Sequence, residues 1–422
     1  MLLVSDLRVD IEGAKSRLGK KNFKEIELID KAISLDDERK ASQTKRDALL
    51  AQRNEWSKKV GEFYKQGDKV GGDALKEQIN TLKDAISAEE DHLNTVSQQL
   101  EEVLVHLPNM PHESVPAGHT AEDNEVVFTV KNVPELDDQA LPHWELAKKY
   151  DLIDFESGAK ISGAGFVLFK GKGAMLQRAL INFFLDEAIS AGYQEIVPPL
   201  LVNETSAFGT GSLPDKEGQM YYVTEDDLYL IPTAEVPITN IHRDEILEEK
   251  DLPIKFAGYT PCFRREAGSY GSHVRGLNRV HQFDKVEIVQ VAHPERSYEV
   301  LDEMVKHVET LLKKLELPYR ILRLCGGDMS FTSALTYDFE VYSAAQKRWL
   351  EVSSVSNFES FQTNRLKLRF KDENNNKHLC HTLNGSALAL ARIIACLLEN
   401  NQTEDGIRIP EVLRSYMRCD LI

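Results

Sequence analysis

Four arginines within one short stretch are the strongest candidates for chemistry in this sequence. The stretch spans residues 261–287 and also carries two glutamates and an aromatic ring; in chain order these residues are Arg264, Arg265, Glu266, Arg275, Arg279, Phe283 and Glu287. A polar segment that contains glycines separates two apolar runs, which predicts a β-hairpin. Planar guanidinium groups match phosphate oxygens, and an aromatic ring can stack on a nucleobase. One arginine pair is usually a surface ion pair, but four beside such a loop favour a phosphate ligand.

Other familiar chemical signatures are absent or weak. The glycines between residues 165 and 173 are spaced one position too far apart for a phosphate-binding loop, and neither HExxH nor GxSxG occurs. His378, Cys380 and His381 resemble a metal cluster, but consecutive strand residues point to opposite faces, so we expect a strand and no zinc. The Cys262 thiol could be activated by the neighbouring arginines, although simple burial is the plainer expectation.

The elements around the arginine stretch mix two periodicities. Helices are expected at residues 174–191, 294–315 and 387–400. Strands are expected at residues 195–197, 221–231, 254–259, 285–291, 339–342 and 349–354. Because strands and helices do not alternate regularly, the pattern predicts an α+β fold, with an antiparallel sheet flanked by helices.

The first hundred residues have a different character, since no proline occurs from residue 28 to residue 106. Apolar residues recur there at the three- and four-residue spacings of a coiled coil, with Glu89 in one skipped position. They are Leu75, Ile79, Leu82, Ile86, Leu93, Val96, Leu100, Val103 and Leu107, preceded by a weaker seam through Ile29, Leu35, Ser42, Leu49, Trp56 and Phe63. Residues 66–73 predict a turn between two long antiparallel helices. Closely spaced prolines then end this arm, so we expect domains at residues 1–110 and 111–422.

Charge divides between the two predicted helices of the arm. Residues 39–65 carry eight basic and three acidic side chains, and residues 73–103 carry eight acidic and two basic ones. The helices could simply attract each other. Alternatively, or in addition, the basic helix could offer Lys45, Arg46 and Arg53 to a phosphate backbone.

Composition excludes several classes of protein. The 422 residues allow two or three domains, and 42% hydrophobic with 28% charged residues exclude a disordered or collagen-like chain. A net charge of −17 disfavours non-specific binding to nucleic acid or to anionic membranes, so any such contact needs a local basic patch. Five scattered cysteines without a CxxC pair favour reduced thiols and the cytoplasm. We expect no signal peptide and no membrane-spanning segment.

Several motifs resemble those of class II aminoacyl-tRNA synthetases. Residues 263–266 with the loop that follows resemble the second signature motif of that class, residues 384–400 the third, and residues 174–199 the first. More specific strings resemble the seryl-tRNA synthetase family, at residues 233–235, 279–283, 351–357 and 381–386. An N-terminal helical arm is also a trait of that family, and the resemblance extends over nearly the whole chain.

The resemblance implies an ATP site. Arg264 would bridge the α-phosphate and the serine carboxylate, Glu266 would hold the adenine amino group, and Phe283 would stack on the ring. Arg279 and Arg392 would contact the outer phosphates and the other ring face. The implied ATP-binding residues are Arg264, Arg265, Glu266, Arg279, Val280, Phe283, Glu351, Val352, Ser353, Ser354 and Arg392. Among them, Glu351 and Ser354 would hold Mg²⁺ through hard oxygen ligands.

The resemblance likewise implies a serine site and an RNA partner. The implied serine-binding residues are Thr233, Glu235, Arg264, Glu287, Asn384 and Ser386. The implied reaction forms seryl-adenylate from serine and ATP and then transfers serine to the 3′-terminal adenosine of tRNA(Ser), whose backbone would contact Lys45, Arg46 and Arg53. Whether tRNA(Sec) is also a substrate stays open. Residues 174–191 carry apolar side chains on more than one helical face, which together with the resemblance predicts a homodimer.

Two other classes of function stay open at this point. A related ligase could activate an amino acid for another carrier, but a protein carrier would not need so long an arm. A non-catalytic relative could bind only RNA or partners, but every ATP and Mg²⁺ residue that the resemblance requires is present.

The sequence also departs from the family in two places. Ala387 and Ala391 stand where glycines are usual, and in residues 211–216 Ser212 replaces a usual Gln while Asp215 separates Pro from Lys.

Overall fold

The computed structural model describes residues 1–136, 139–266 and 275–422. The chain divides into two compact units. The first consists of Met1–Gly19 and Phe23–Pro108, and the second of Lys20–Asn22 and Asn109–Ile422. The glycine-containing segment that was predicted between Glu266 and Arg275 lies outside the described residues.

Two long helices that pack against each other dominate the first unit. Its helices are α1 (Val4–Val9), α2 (Ile11–Lys20), α3 (Glu27–Lys65) and α4 (Lys69–His106). The apolar seam of α4 is buried as the heptad spacing predicts, at Leu82, Ile86, Val96 and Leu100. The predicted coiled-coil arm is therefore confirmed.

The turn at the end of the arm is shorter than the sequence predicted. Asp68 caps α4, because its side chain accepts a hydrogen bond at 2.9 Å from the backbone N–H of Gly71. The cap lets the helix begin at Lys69, so Gly71 and Gly72 lie in the helix and not in the turn. The expected turn at residues 66–73 is wrong in its second half for this reason.

The second unit is built on a sheet that is eight-stranded in the described part of the chain. The order is β1-β11-β12-β13-β16-β10-β9-β4, and every neighbouring pair is antiparallel except β4 with β9. The strands are β1 (Glu125–Thr129), β4 (Gln194–Glu195), β9 (Ile254–Phe263), β10 (Gln282–Ala292), β11 (Tyr319–Arg323), β12 (Leu335–Ser343), β13 (Arg348–Glu359) and β16 (His381–Ala389).

Smaller sheets lie around this one. A two-stranded sheet consists of β2 (Ile153–Asp154) and β3 (Leu168–Phe169). One three-stranded sheet consists of β5 (Leu201–Val202), β7 (Leu228–Leu230) and β6 (Tyr222–Val223). The other consists of β15 (Lys377–Leu379), β14 (Arg369–Lys371) and β8 (Ile246–Glu248). The strand expected at residues 221–231 is therefore two short strands, because Asp227 adopts a positive φ of 55° between them.

Helices cover the large sheet and complete the predicted α+β fold, which is confirmed. They are α5 (His143–Lys149), α6 (Phe155–Ser162), α7 (Gly171–Ser190), α8 (Glu204–Thr210), α9 (Glu235–Thr239), α10 (Ser297–Lys314), α11 (Phe361–Leu366), α12 (Leu390–Asn400) and α13 (Glu411–Met417). α7 packs on β9 and β10, α10 packs on β13 and β16, and α12 packs on the central strands. No described helix combines the length and the apolar content that crossing a membrane requires.

The helix expected at residues 387–400 starts later than predicted. Residues 387–389 continue β16, and the helix begins at Leu390. An apolar run reads equally well as a buried strand or a helix, and here β16 extends until Ala389 pairs with Lys285.

Candidate functional site

One cavity of about 660 Å³ in the second unit collects most of the predicted site residues. The residues of the sequence prediction that line it are Thr233, Arg264, Glu266, Arg279, Val280, Phe283, Glu351, Val352, Ser353, Ser386 and Arg392. Of the residues predicted to bind ATP or serine, those that do not line it are Glu235, Arg265, Glu287, Ser354 and Asn384. The cavity therefore brings together residues that are up to 159 positions apart in the chain, from Thr233 to Arg392.

Arg264 and Phe283 form one wall of this cavity. Arg264 follows directly after β9, and its guanidinium carbon lies 5.4 Å from the centre of the Phe283 ring on β10. Its Nε donates to the carbonyl oxygen of Pro232 at 3.3 Å, which fixes the side chain. Arg265, the next residue, is exposed and does not line the cavity.

An ion pair joins the two sides of the hairpin. Arg279 Nη1 lies 2.9 Å from Glu266 Oε2. Both side chains line the cavity, so the guanidinium and carboxylate are available to a ligand at its edge.

A β-bulge explains why three consecutive residues of β13 line the cavity. The register pairs Phe339 with Ser353 but Glu340 with Glu351, which leaves Val352 as an extra residue. In a regular strand Val352 would point away from its two neighbours. The bulge instead lets Glu351, Val352 and Ser353 all reach the cavity.

Arg392 of α12 is held in place by backbone oxygens. Its Nη1 donates to the carbonyl oxygen of Glu351 at 2.7 Å, and its Nε donates to that of Asn278 at 3.1 Å. Nη1 is also 3.6 Å from the Glu351 carboxylate. These contacts hold a second guanidinium group at the cavity that Arg264 also lines.

Two carboxyl groups lie behind Thr233, a residue of the cavity wall. Thr233 Oγ1 donates to Glu287 Oε2 at 2.7 Å, and Glu287 also forms an ion pair with Lys285 on the same face of β10. Both members of the ion pair are buried. Lys285 was not predicted as a site residue. Its position two residues before Glu287 on a predicted strand could have indicated that both side chains lie on the same face.

Glu235 carries the second of these carboxyl groups. Burial, and after it the nearby Glu287 carboxylate, raise its pKa to about 7 against the opposing effect of Gln362, Lys285 and Asn384. Gln362 Nε2 donates to Glu235 Oε1 at 2.7 Å. A cationic group placed here would favour the ionised form, so the arrangement suits an ammonium ligand.

The donors predicted for Mg²⁺ lie on the same bulged strand. Glu351 offers an exposed carboxylate at the cavity, and Ser354 lies opposite Asp338 in the sheet. Burial and the Glu351 charge raise the pKa of Asp338, and a hydrogen bond from Ser354 lowers it. These oxygen donors fit a hard cation. Among the described residues, no group of three or more His, Cys, Asp or Glu side chains is arranged to hold a metal ion.

The segment of residues 211–216, in which the sequence departs from the family, lines the cavity throughout. Arg365 supports it, since its Nη1 donates to the carbonyl oxygens of Phe208 and Leu213 at 3.0 and 3.1 Å. Lys216 Nζ lies 4.0 Å from the centre of the Phe331 ring, which also lines the cavity. Sequence reasoning assigned no role to Arg365 or Phe331.

The basic residues predicted to contact RNA lie on α3 of the first unit and have partners there. Lys45 Nζ is 2.6 Å from Glu89 Oε2 on α4, which accounts for the skipped position in the seam. Arg46 Nη2 is 2.6 Å from Asp47, and Arg53 Nη2 is 3.5 Å from Asn54 Oδ1. Electrostatic pairing between the helices therefore exists at Lys45.

The two discounted sites behave as ordinary structure. Cys262 is buried, and burial raises the pKa of its thiol. His378 lies 3.0 Å from Asp372, whereas His381 lies 2.8 Å from Ser297 on α10. The two histidines belong to separate strands, β15 and β16, so the expected strand into the third motif begins only at His381 and is interrupted at Cys380.

Comparisons with known proteins identify the family. Residues 1–111 match the sequence model of the seryl-tRNA synthetase N-terminal domain, and residues 221–401 match that of the tRNA synthetase class II core domain (G, H, P, S and T). The serine–tRNA ligase of Salinibacter ruber is 49% identical over 418 residues, covering 99% of this chain and 98% of that protein. The chain belongs to the seryl-tRNA synthetase family. It is thus a class II aminoacyl-tRNA synthetase, an ATP-dependent ligase.

Solved structures of seryl-tRNA synthetases share the whole fold. The Pyrococcus horikoshii enzyme complexed with ATP superimposes with a TM-score of 0.92 at 33% identity, covering 100% of this chain and 99% of that one. The cytoplasmic serine–tRNA ligase of Naegleria fowleri in complex with AMP superimposes with a TM-score of 0.88 at 27% identity, covering 100% of this chain and 98% of that one. The fold class predicted from the sequence is therefore that of the seryl-tRNA synthetase family.

Proposed function

We propose that this chain activates L-serine with ATP to give seryl-adenylate and pyrophosphate, and then transfers serine to the 3′-terminal adenosine of tRNA(Ser). One observation supports this most directly: an acidic pair, Glu235 and Glu287, lies behind Thr233 of a cavity whose walls also carry Arg264, Arg392 and Phe283. The acidic end suits an ammonium group and the arginine end suits phosphates. Neither part of the site distinguishes tRNA(Ser) from tRNA(Sec) as the acceptor.

ATP would occupy the end of the cavity that carries the arginines. Arg264 would bridge the α-phosphate and the serine carboxylate, while its neighbour Phe283 stacks on adenine and Glu266 accepts from the adenine amino group. Arg279 and Arg392 would hold the outer phosphates and the second ring face. Val280, Val352 and Ser353 complete the walls, whereas the exposed Arg265 would act at the rim.

Serine would occupy the acidic end. Glu235 and Glu287 would receive its ammonium group, and Thr233 would hydrogen-bond it or its hydroxyl. Asn384 and Ser386 would close the pocket beneath. A site that hydrogen-bonds a substrate hydroxyl can reject the analogue that lacks it by about 10⁴-fold or more, which favours serine over alanine.

Glu351 and Ser354 would hold Mg²⁺ beside ATP, where the ion neutralises charge on the phosphates. In the reaction the serine carboxylate oxygen attacks the α-phosphorus and the bond to pyrophosphate breaks. The developing negative charge falls on oxygens that Arg264 and Arg392 can contact. The step needs neither a protein nucleophile nor a general base, so positioning by the chain supplies much of the rate.

The arm would bind the tRNA. In this division, residues 1–110 form the RNA-binding domain and residues 111–422 the catalytic domain. Arg46 and Arg53 would contact phosphates, and Lys45 would do so while it also neutralises Glu89. Against a net charge of −17, the basic stretch of α3 offers a phosphate backbone a local attraction.

The working form would be a cytoplasmic homodimer. Leu176, Leu180, Phe183 and Phe184 of α7 are buried within the chain itself, but Ile189 is 46% exposed and Val197, shortly after α7, is 86% exposed. Such side chains suit a two-fold interface. All five cysteines are free, as expected in a reducing compartment.

Two assays on the purified chain test the proposal. Serine-dependent exchange of pyrophosphate into ATP measures activation, and charging of total tRNA with each of the twenty amino acids measures transfer. We expect both activities with serine and neither with alanine or threonine at comparable rates. Exchange with another amino acid, or none with serine, would overturn the assignment.

A further inference from the structure

A second cavity, of about 530 Å³, adjoins the proposed ATP cavity and shares Glu266, Arg279 and Val280 with it. Its remaining walls are mostly aromatic or basic. They include Trp144, Phe155, Phe166, Arg275 and His281. Neither the ATP nor the serine part of the proposed function uses these side chains.

Two flat stacked pairs line this second cavity. The Arg275 guanidinium carbon lies 4.7 Å from the centre of the Trp144 ring. The Phe166 and His281 rings are stacked with centroids 5.3 Å apart and planes inclined by 19°. Each pair presents the kind of surface on which a planar base stacks.

The wall beside His281 is shaped for close approach. The backbone N–H of His281 donates to the carbonyl oxygen of Gly165 at 2.9 Å. Gly165 has a φ of +85°, and a Cβ there would lie 2.3 Å from the His281 ring. A glycine at this position therefore lets Phe166 and His281 stack.

A polar group at this cavity also lacks a partner. The indole Nε1 of Trp144 is buried and makes no hydrogen bond among the described residues. A buried donor normally finds an acceptor, so this unsatisfied N–H is a feature of Trp144 that the rest of the described chain does not explain. The charges at the cavity, Arg275 and Arg279 against Glu266, favour a ligand that carries phosphate.

We infer that the second cavity binds the nucleotide that precedes the terminal adenosine of the acceptor RNA, with its base stacked against the aromatic walls. The inference rests on the proposed function, which requires the terminal ribose to reach the first cavity. The two cavities share the wall formed by Glu266, Arg279 and Val280, so a nucleotide in the second cavity would adjoin one in the first. An unpaired base has both faces free for stacking, which a base within a duplex does not.

The test compares Trp144→Ala and Arg275→Ala with wild type on two acceptors. One is intact tRNA(Ser), and the other is the same tRNA with an abasic site in place of the nucleotide before the terminal adenosine. We expect both variants to raise the tRNA KM roughly tenfold with intact tRNA and to leave serine-dependent exchange within about twofold. With abasic tRNA, the tRNA KM of the wild type should rise by the same factor. The tRNA KM of the two variants should rise little further, because the contact is already lost.

The matched control is Arg320→Ala. Arg320 lies 4.9 Å over the Trp349 ring, an equivalent arginine–tryptophan pair that lines neither cavity. It should change neither assay. Arg275 is exposed, so its variant keeps the fold even if the Trp144 variant does not.

Two results would overturn the inference. One is an unchanged tRNA KM in Arg275→Ala. The other is a tRNA KM for that variant with abasic tRNA that rises by the product of the two separate factors. Absence of serine-dependent exchange in the wild type would instead overturn the proposed function, so the two failures are distinguishable.

Discussion

His143 and Glu399 form a hydrogen-bonded pair that is wholly buried, with Nδ1 2.7 Å from Oε1. The backbone N–H of Leu277 donates to the other ring nitrogen, Nε2, at 2.9 Å, so that nitrogen carries a lone pair and the imidazole is neutral. Glu399 is therefore a buried carboxylate that neutral donors satisfy, including Ser343 and Gln346 as well as His143. The pair connects α12, which carries Arg392, to the chain segment that leads into Arg279.

His143→Asn should weaken ATP binding selectively. The amide can still donate to Glu399 but does not reach Leu277, which leaves a buried N–H unsatisfied at a cost of about 1–3 kcal/mol. We expect a lower melting temperature and an ATP KM raised roughly three- to tenfold, with the serine KM within twofold, as measured by exchange kinetics. His307→Asn, at a half-buried histidine that lines neither cavity, is the control and should leave both KM values unchanged. Equal rises in the two KM values for His143→Asn would contradict a local effect on the ATP side.

Arg264→Ala should slow activation strongly. It removes the cation that faces the α-phosphate, and a lost transition-state contact of this kind costs about 3 kcal/mol, or roughly 10²-fold in rate. Exchange kinetics at saturating ATP and serine measure the loss. Arg296→Ala, which removes an exposed arginine paired with Glu299, should have no effect. Normal exchange in Arg264→Ala would refute the role of this arginine.

Serine binding should depend on pH through Glu235, whose pKa is raised to about 7 by burial and by Glu287. An ammonium substrate needs the ionised carboxylate, so the serine KM should rise as pH falls below 7, nearly tenfold per unit at the lower end. Serine-dependent exchange between pH 5.5 and 8.5 gives the profile. A serine KM that stays flat over this range would show that Glu235 does not bind the ammonium group.

The Glu235 carboxyl should also affect the stability of the folded chain. Serine binding needs its ionised form, whereas folding is favoured by its protonated form. Its folded pKa of about 7 lies above the ordinary value of 4.5, so the folded chain holds the proton more tightly. Glu235 therefore lowers stability above pH 7, and this cost disappears as pH falls through 7 toward 4.5. Glu235→Gln should raise the melting temperature at pH 8 more than at pH 5, while it abolishes serine-dependent exchange.

The chain should form a dimer through the exposed apolar residues near α7. Sedimentation of the wild type at micromolar concentration should give twice the chain mass. Ile189→Asp with Val197→Asp should give monomers, because a charge buried in an apolar interface is costly. Exchanging the exposed Val9 of the first unit for Asp is the control. A monomeric wild type would overturn the prediction.

Local patterns in the sequence predicted much of the fold and part of the site. The arm follows from apolar spacing alone, and Arg264, Glu266 and Phe283 lie within one hairpin. Contacts between distant strands could not be predicted in the same way. The bulge at Val352 depends on the register with residues 339 and 340, and Gln362 reaches Glu235 across 127 positions. Neither relationship leaves a periodic signal in the sequence.

The strand and helix at the third motif illustrate the same limit. Residues 387–400 are apolar throughout except for Arg392, Glu399 and Asn400. Such a run predicts burial but not its secondary structure, and only the pairing of Lys285 with Ala389 decides that β16 continues to that point.

The arm should serve tRNA and not activation. The proposed ATP and serine residues all come from the second unit, whereas α4 of the first unit has 38 residues and is about 57 Å long at about 1.5 Å per residue. Replacing residues 42–93 with a short glycine-rich turn should keep serine-dependent exchange within a few-fold and nearly abolish charging of tRNA. Full charging by the shortened chain would mean that the arm is only structural.

Substitution of Lys45, Arg46 and Arg53 by Ala tests the basic surface without shortening the arm. We expect a higher tRNA KM and a flatter dependence on salt, by about one unit of logarithmic slope per lost phosphate contact. Because Lys45 also neutralises Glu89, the triple variant could lose tRNA binding through a weakened arm. Glu89→Gln separates the two causes, since it breaks the same ion pair but keeps all three cations. An unchanged tRNA KM and salt slope in Glu89→Gln, beside the altered values in the triple variant, would assign the loss to phosphate contacts; equal losses in both would assign it to pairing between α3 and α4.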